Sequence, residues 1–148
     1  MLVFKNNHIY PIYSVNSTEP DPLVNVGTYS QESIVEAEDG IYFYHPKCIY
    51  IYSDGVTRIS QPIKDLIDAV PASQYDDVAG WEDGDHVYFE LGDLTLDNIT
   101  YSNVVVRYTI SSKVWTWRNY SYKFTCASKY NDGSTLFNLV GDNSGNVF

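Results

Sequence analysis

Proton-transfer chemistry is the first possibility raised by Asp83-Gly84-Asp85-His86, a run flanked by Glu82 and Glu90. Carboxylates beside an imidazole are the side chains that exchange protons with a substrate near neutral pH. The same four residues also spell a hairpin turn, in which Asp and Gly serve the backbone. No nucleophile or orienting partner can be named for them, so the turn is the reading carried forward. Asp142-Asn143-Ser144-Gly145-Asn146 offers oxygen donors at successive positions, as calcium loops do. It has no closing bidentate Glu, and turn chemistry accounts for its composition. His8, His45 and His86 are far apart and lack the spacing of a zinc site. Each is expected to be solvated or locally hydrogen-bonded. There is no G-x-S-x-G elbow, no Walker loop and no G-x-G-x-x-G after a strand. No catalytic, cofactor-binding or metal-binding residue is assigned, no cofactor is expected, and the chain is read as not an enzyme.

Aromatic side chains offer a different chemistry, the stacking of sugars or bases. The chain holds 14 Tyr, 6 Phe and 3 Trp among 148 residues. Trp115 and Trp117 alternate in VWTWRNY, so they share one face of a strand, with Arg118 on the other. Tyr42 and Tyr44 share a face, as do Tyr50 and Tyr52. Packing of rings between sheets is the expected use, with a carbohydrate-stacking surface as the alternative. Cys48 and Cys126 both lie in apolar strand-like runs and are expected to be buried, reduced thiols.

Charge narrows the partners. The net charge is −10, with nine Lys and Arg scattered singly. Gripping nucleic acid through its phosphates needs clustered cations, so tight phosphate-driven binding is not expected. The N-terminal MLVFKNNHIY turns polar too soon to read as a signal peptide. No apolar run approaches the roughly 20 residues that span a bilayer, and no membrane partner is expected. Asn-X-Ser/Thr triplets at Asn16, Asn98 and Asn119 are too few to argue glycosylation.

These residues must be positioned by short strands. Asp-Gly occurs before an aromatic strand at Asp39-Gly40, Asp83-Gly84 and Asp132-Gly133, at separations of 44 and 49 residues. Asp-Gly between alternating apolar runs is a strong hairpin signal, because both residues tolerate positive φ. After the first, IYFYH, CIYIY and VTRIS follow in a meander. After the second, DHVYFEL leads through a longer polar loop, GDLTLDNITYS, to NVVVRYTI and VWTWRNY. After the third come STLFNLV and then NVF. Upstream, Asn6-Asn7 stands in for Asp-Gly, and PLVNVGT reads as a last strand. The spacing thus predicts units near 1–30, 33–60, 76–120 and 122–148. Between the second and third, Pro62 and the apolar stripe Ile63, Leu66, Ile67 and Val70 predict a short helix over 62–70.

Four short strands per 40–50 residues is the signature of a β-propeller blade. The expected fold is all-β, a single propeller-like domain over 1–148 with about three and a half four-stranded blades and one inter-blade helix. A β-sandwich is the alternative, since it too has short strands and frequent turns. Strands at the two ends lack partners in this reading, so association with other copies, or a longer polypeptide, is expected.

The stretch SIVEAEDGIYFYHPKCIYIYSDGVTRISQPIKDLI resembles the β-propeller proteins of tailed-bacteriophage virions, of the packaged-DNA stabilisation and tail-nozzle type. VAGWEDGDHVYFELGD, YSNVVVRYTISSKVWTW and VGDNSGNVF are similar to further blades of such proteins. The resemblance implies a non-catalytic virion structural protein, made in the host cytoplasm, that acts in head–tail completion, genome retention and genome passage. It carries no catalytic residues to transfer. Its implied partners are other copies of itself or other virion proteins. The competing expectation is a carbohydrate-binding propeller or adhesin module.

Overall fold

All three Asp-Gly pairs lie at tight antiparallel hairpins, each joining the first and second strands of a separate sheet. The computed structural model describes residues 1–12 and 22–148; Asn16 and the middle of the first expected unit lie outside them. Strands β1 (Leu2–Phe4) and β2 (Ile9–Pro11) form the first sheet. Strands β3 (Val35–Ala37), β4 (Gly40–His45), β5 (Cys48–Tyr52) and β6 (Val56–Arg58) form the second, ordered as a meander. Strands β7 (Ala79–Glu82), β8 (His86–Leu96), β9 (Ile99–Thr109) and β10 (Val114–Asn119) repeat that meander in the third. Strands β11 (Phe124–Asn131) and β12 (Leu136–Asp142) form the fourth. The chain is therefore all-β, built among the described residues as four antiparallel sheets rather than the two of a sandwich.

The turns share a mechanism but not a register. Asp83 N–H donates to the His86 carbonyl, and Asp132 N–H to the Thr135 carbonyl, across loops whose Gly84 and Gly133 have φ of +93° and +97°. In the second sheet the loop slips by one residue, so that Ala37 pairs with Gly40 and Glu38-Asp39 form the turn. Asn6-Asn7 fill the corresponding loop of the first sheet, closed by Lys5 N–H to the His8 carbonyl. PLVNVGT supplies a bridge from Val24 to Ile9, and Val147 bridges Gly141 beside β12.

One expected loop is instead strand. GDLTLDNITYS continues β8 and β9 into a long hairpin, in which Leu96 pairs with Ile99. Asp97 and Asn98 take φ of +51° and +64°, the two positive values that a two-residue turn of matching twist requires. Leu94 and Leu96 alternate with polar residues, and Leu94 is fully buried, so the apolar period of two wins over the polar composition. Register shifts around Gly92 bend the extension.

Alternation along β4 and β5 explains why the sheets stack in chain order. Phe43, Cys48 and Tyr50 turn to one face of the second sheet and bury with Ile9, beside Leu2 and Phe4 of the first. Tyr42, Tyr44 and Ile49 turn to the other face and join Val87, Phe89, Leu91, Val104, Val106 and Tyr108 of the third. The helical segment enters this second core. Its expected span divides into a 3-10 turn, Gln61–Ile63, and a short helix α1, Lys64–Asp68. Ile63, Leu66, Ile67 and Val70 are all buried as the stripe predicts, and Pro71 follows the last of them. Lys64 and Asp68 pair on the solvent side. Truncating a buried ring such as Phe43 to Ala removes about 3–5 kcal/mol in such a core.

Candidate functional site

The first strands of three consecutive sheets come side by side. Val35 and Glu36 of β3, Gly80 and Glu82 of β7, and Ser128 and Lys129 of β11 line one open cleft of about 220 Å³. Gly80 permits the close approach of β3 and β7, because a Cβ there would lie 2.6 Å from Val35 Cγ2. Lys129 crosses from β11 to pair with Glu82 of β7. That pairing neutralises one of the two carboxylates that line the cleft and leaves Glu36, which is exposed. A wall of this kind can exclude or guide charge.

The acidic run around Asp83 is dispersed to separate partners. Asp83 Oδ1 lies 2.9 Å from His86 Nδ1, and its Oδ2 accepts the Tyr88 hydroxyl at 2.6 Å. Burial, followed by this bond to Asp83, pushes Tyr88 up to about 12. Asp85 turns instead to the β9–β10 loop, where it accepts the Ser111 N–H at 2.8 Å. The Ser111 side-chain and backbone bonds hold the Asp85 carboxyl below its ordinary range. Glu82 belongs to Lys129. The residues therefore tie one hairpin together and to its neighbour.

Glu90 behaves unlike the others. It is 0 % exposed, and its Oε1 accepts the Gly92 N–H at 3.1 Å. Its Oε2 has no hydrogen-bond partner among the described residues. Burial pushes its pKa up to about 7, against the opposing pull of the Gly92 and Phe124 N–H groups and Lys123. Its signal in the sequence is a lone charge between Phe89 and Leu91. Alternation puts it on the Tyr88 face, where β11 begins and Phe124 stands edge-on to Trp81 at 6.0 Å.

Other expected sites resolve into structure. His45 is buried, and its Nδ1 accepts the Lys47 N–H at 3.2 Å. Desolvation first, then Lys47 and Arg58, lower its pKa. Asp142 caps its own turn: Oδ1 accepts the N–H groups of Ser144 and Asn146, and Oδ2 accepts Asn146 Nδ2 at 2.8 Å. These bonds, led by that of the Asn146 side chain, lower its pKa, and they use the oxygens a cation would need. Trp115 points inward and donates Nε1–H to the Ile59 carbonyl at 2.9 Å. Trp117 on the same face is 40 % exposed and stands edge-on to Tyr101. Tyr42, Tyr44 and Tyr50 are buried between sheets. Cys48 is buried beside Ser60 Oγ, as expected, but Cys126 is exposed. The correction has a simple cause. Cys126 alternates with Ala127 and Lys129, so when Lys129 faces the third sheet, Cys126 faces away from it.

No protein-family model matches the chain, and a search of curated proteins returns no match either.

Proposed function

We propose that the chain is a β-propeller-like virion structural protein, of the tail-nozzle or head–tail completion kind, that works by assembly rather than catalysis. The observation carrying this reading is the convergence of β3, β7 and β11 on one cleft. In a propeller each blade contributes its first strand to a central passage, and successive blades stack face to face. Stacking in chain order through two cores supports the same reading. So does the burial of Tyr42, Tyr44 and Tyr50, since a sugar-binding surface needs its rings open. The charge of −10 suits a conduit whose wall should repel phosphate and let it slide past.

Under this reading the units form a single domain, and the partners are other copies of the chain or neighbouring virion proteins. Gradient-purified particles from infected cells provide the test. Peptides of this chain should co-sediment with the particles in constant ratio to the other structural proteins. Recovery only in the soluble lysate would refute the assignment.

A further inference from the structure

Away from the cleft, the outer half of the third sheet carries a second feature. Arg107 on β9 and Arg118 on β10 project from the same face, because Thr116 pairs with Arg107 and Arg118 with Val105. That register makes the two arginines diagonal neighbours, with Cα atoms about 7–8 Å apart. With Tyr88, Val105, Thr116 and Tyr120 they line a cavity of about 130 Å³. Lys64, Lys123 and Lys129 each pair with a carboxylate. Arg107 and Arg118 have no acidic partner within 4.0 Å among the described residues. Two guanidiniums facing one cavity repel each other.

We propose that this cavity binds a small oxyanion, a carboxylate or phosphate group, between Arg107 and Arg118. The donors are organised in advance. Arg107 Nε–H donates to Thr116 Oγ1 at 3.1 Å, which fixes the plane of its guanidinium. Arg107 also stands beside the Tyr88 hydroxyl, whose own proton is given to Asp83. Guanidinium forks match carboxylate and phosphate oxygens two at a time, which a lysine pair would not. Tyr120 forms an apolar wall, held edge-on by Phe124 at 5.1 Å. The net charge disfavours a polyanion, so the ligand is a sugar acid or a phosphorylated small molecule.

The test titrates the whole chain with sodium glucuronate and, separately, with inorganic phosphate, at ionic strength held constant with sodium chloride. Arginine Nε–H resonances and the melting temperature report binding. Saturable shifts are expected at Arg107 and Arg118 and not at Arg58, which packs over Tyr50. Saturation by glucuronate alone identifies a sugar carboxylate, and by phosphate alone a phosphate ligand; either supports the site. Arg118→Gln should weaken binding about tenfold or more, as expected for hydrogen bonds to a charged group. Arg118→Lys keeps the charge but removes the fork, and should also bind more weakly. A linear response equal at Arg58, or affinity unchanged in both variants, overturns the proposal.

Discussion

Replacing Glu90 by Gln should stabilise the protein at pH 8 and leave it nearly unchanged at pH 4.5. Glu90 is fully buried with one oxygen unpartnered, and burial lifts its pKa from an ordinary 4.5 to about 7. Between those values the folded chain holds a proton that the unfolded chain has released. Stability from this group is therefore complete below pH 4.5 and falls as pH rises to 7. Each pKa unit is worth 1.36 kcal/mol, so the loss is on the order of 3 kcal/mol. The amide of the Glu90→Gln variant would be neutral throughout and could still accept the Gly92 N–H through its carbonyl oxygen. Urea unfolding of both proteins at the two pH values isolates the term, because the other titrating groups cancel in the difference. A stability difference that is the same at both pH values, or a variant less stable at pH 8, would refute the reasoning.

Three further outcomes follow from particular contacts. The buried Tyr44 hydroxyl has no hydrogen-bond partner among the described residues, whereas Tyr42 donates to Asp39 Oδ2 at 2.8 Å. Tyr44→Phe should accordingly be neutral or stabilising, and Tyr42→Phe should cost about 1–2 kcal/mol in chemical denaturation. Native protein treated with a thiol reagent should label Cys126 at once and Cys48 only on unfolding; equal rates would contradict the assigned faces. Gly80→Ala should destabilise by about 1–3 kcal/mol, because the new methyl meets Val35 Cγ2 at 2.6 Å. A thermal melt showing no loss would mean that β3 and β7 are not in close contact.

Much of the architecture was legible because turn chemistry and strand period agree. Asp-Gly marks the hairpins, and the alternation of Tyr42, Phe43 and Tyr44 encodes which neighbour each face of the second sheet will meet. The stripe Ile63–Leu66–Ile67–Val70 locates the helical segment, although only five residues take α-helical form before Pro71 intervenes. The β8–β9 extension escapes a reading by composition because its Asp, Asn and Thr look like a loop. Only the alternating Leu94, Leu96 and Ile99 reveal it as strand. The fate of Cys126 was not legible either. Whether an apolar strand face is covered depends on which sheet lies opposite, and that information is not local. The same holds for the cleft and for the Arg107–Arg118 cavity, since both join residues brought together by register and stacking rather than by spacing.

The claim that consecutive sheets bring their first strands to a common cleft rests on contact between β7 and β11. A zero-length carbodiimide cross-link tests it, since Glu82 and Lys129 pair directly across that contact. The local Lys64–Asp68 pair reports that the reagent is active. Proteolysis and mass spectrometry of the monomer band should recover a Glu82–Lys129 cross-link in high yield. Recovery of the Lys64–Asp68 product without it would contradict the arrangement.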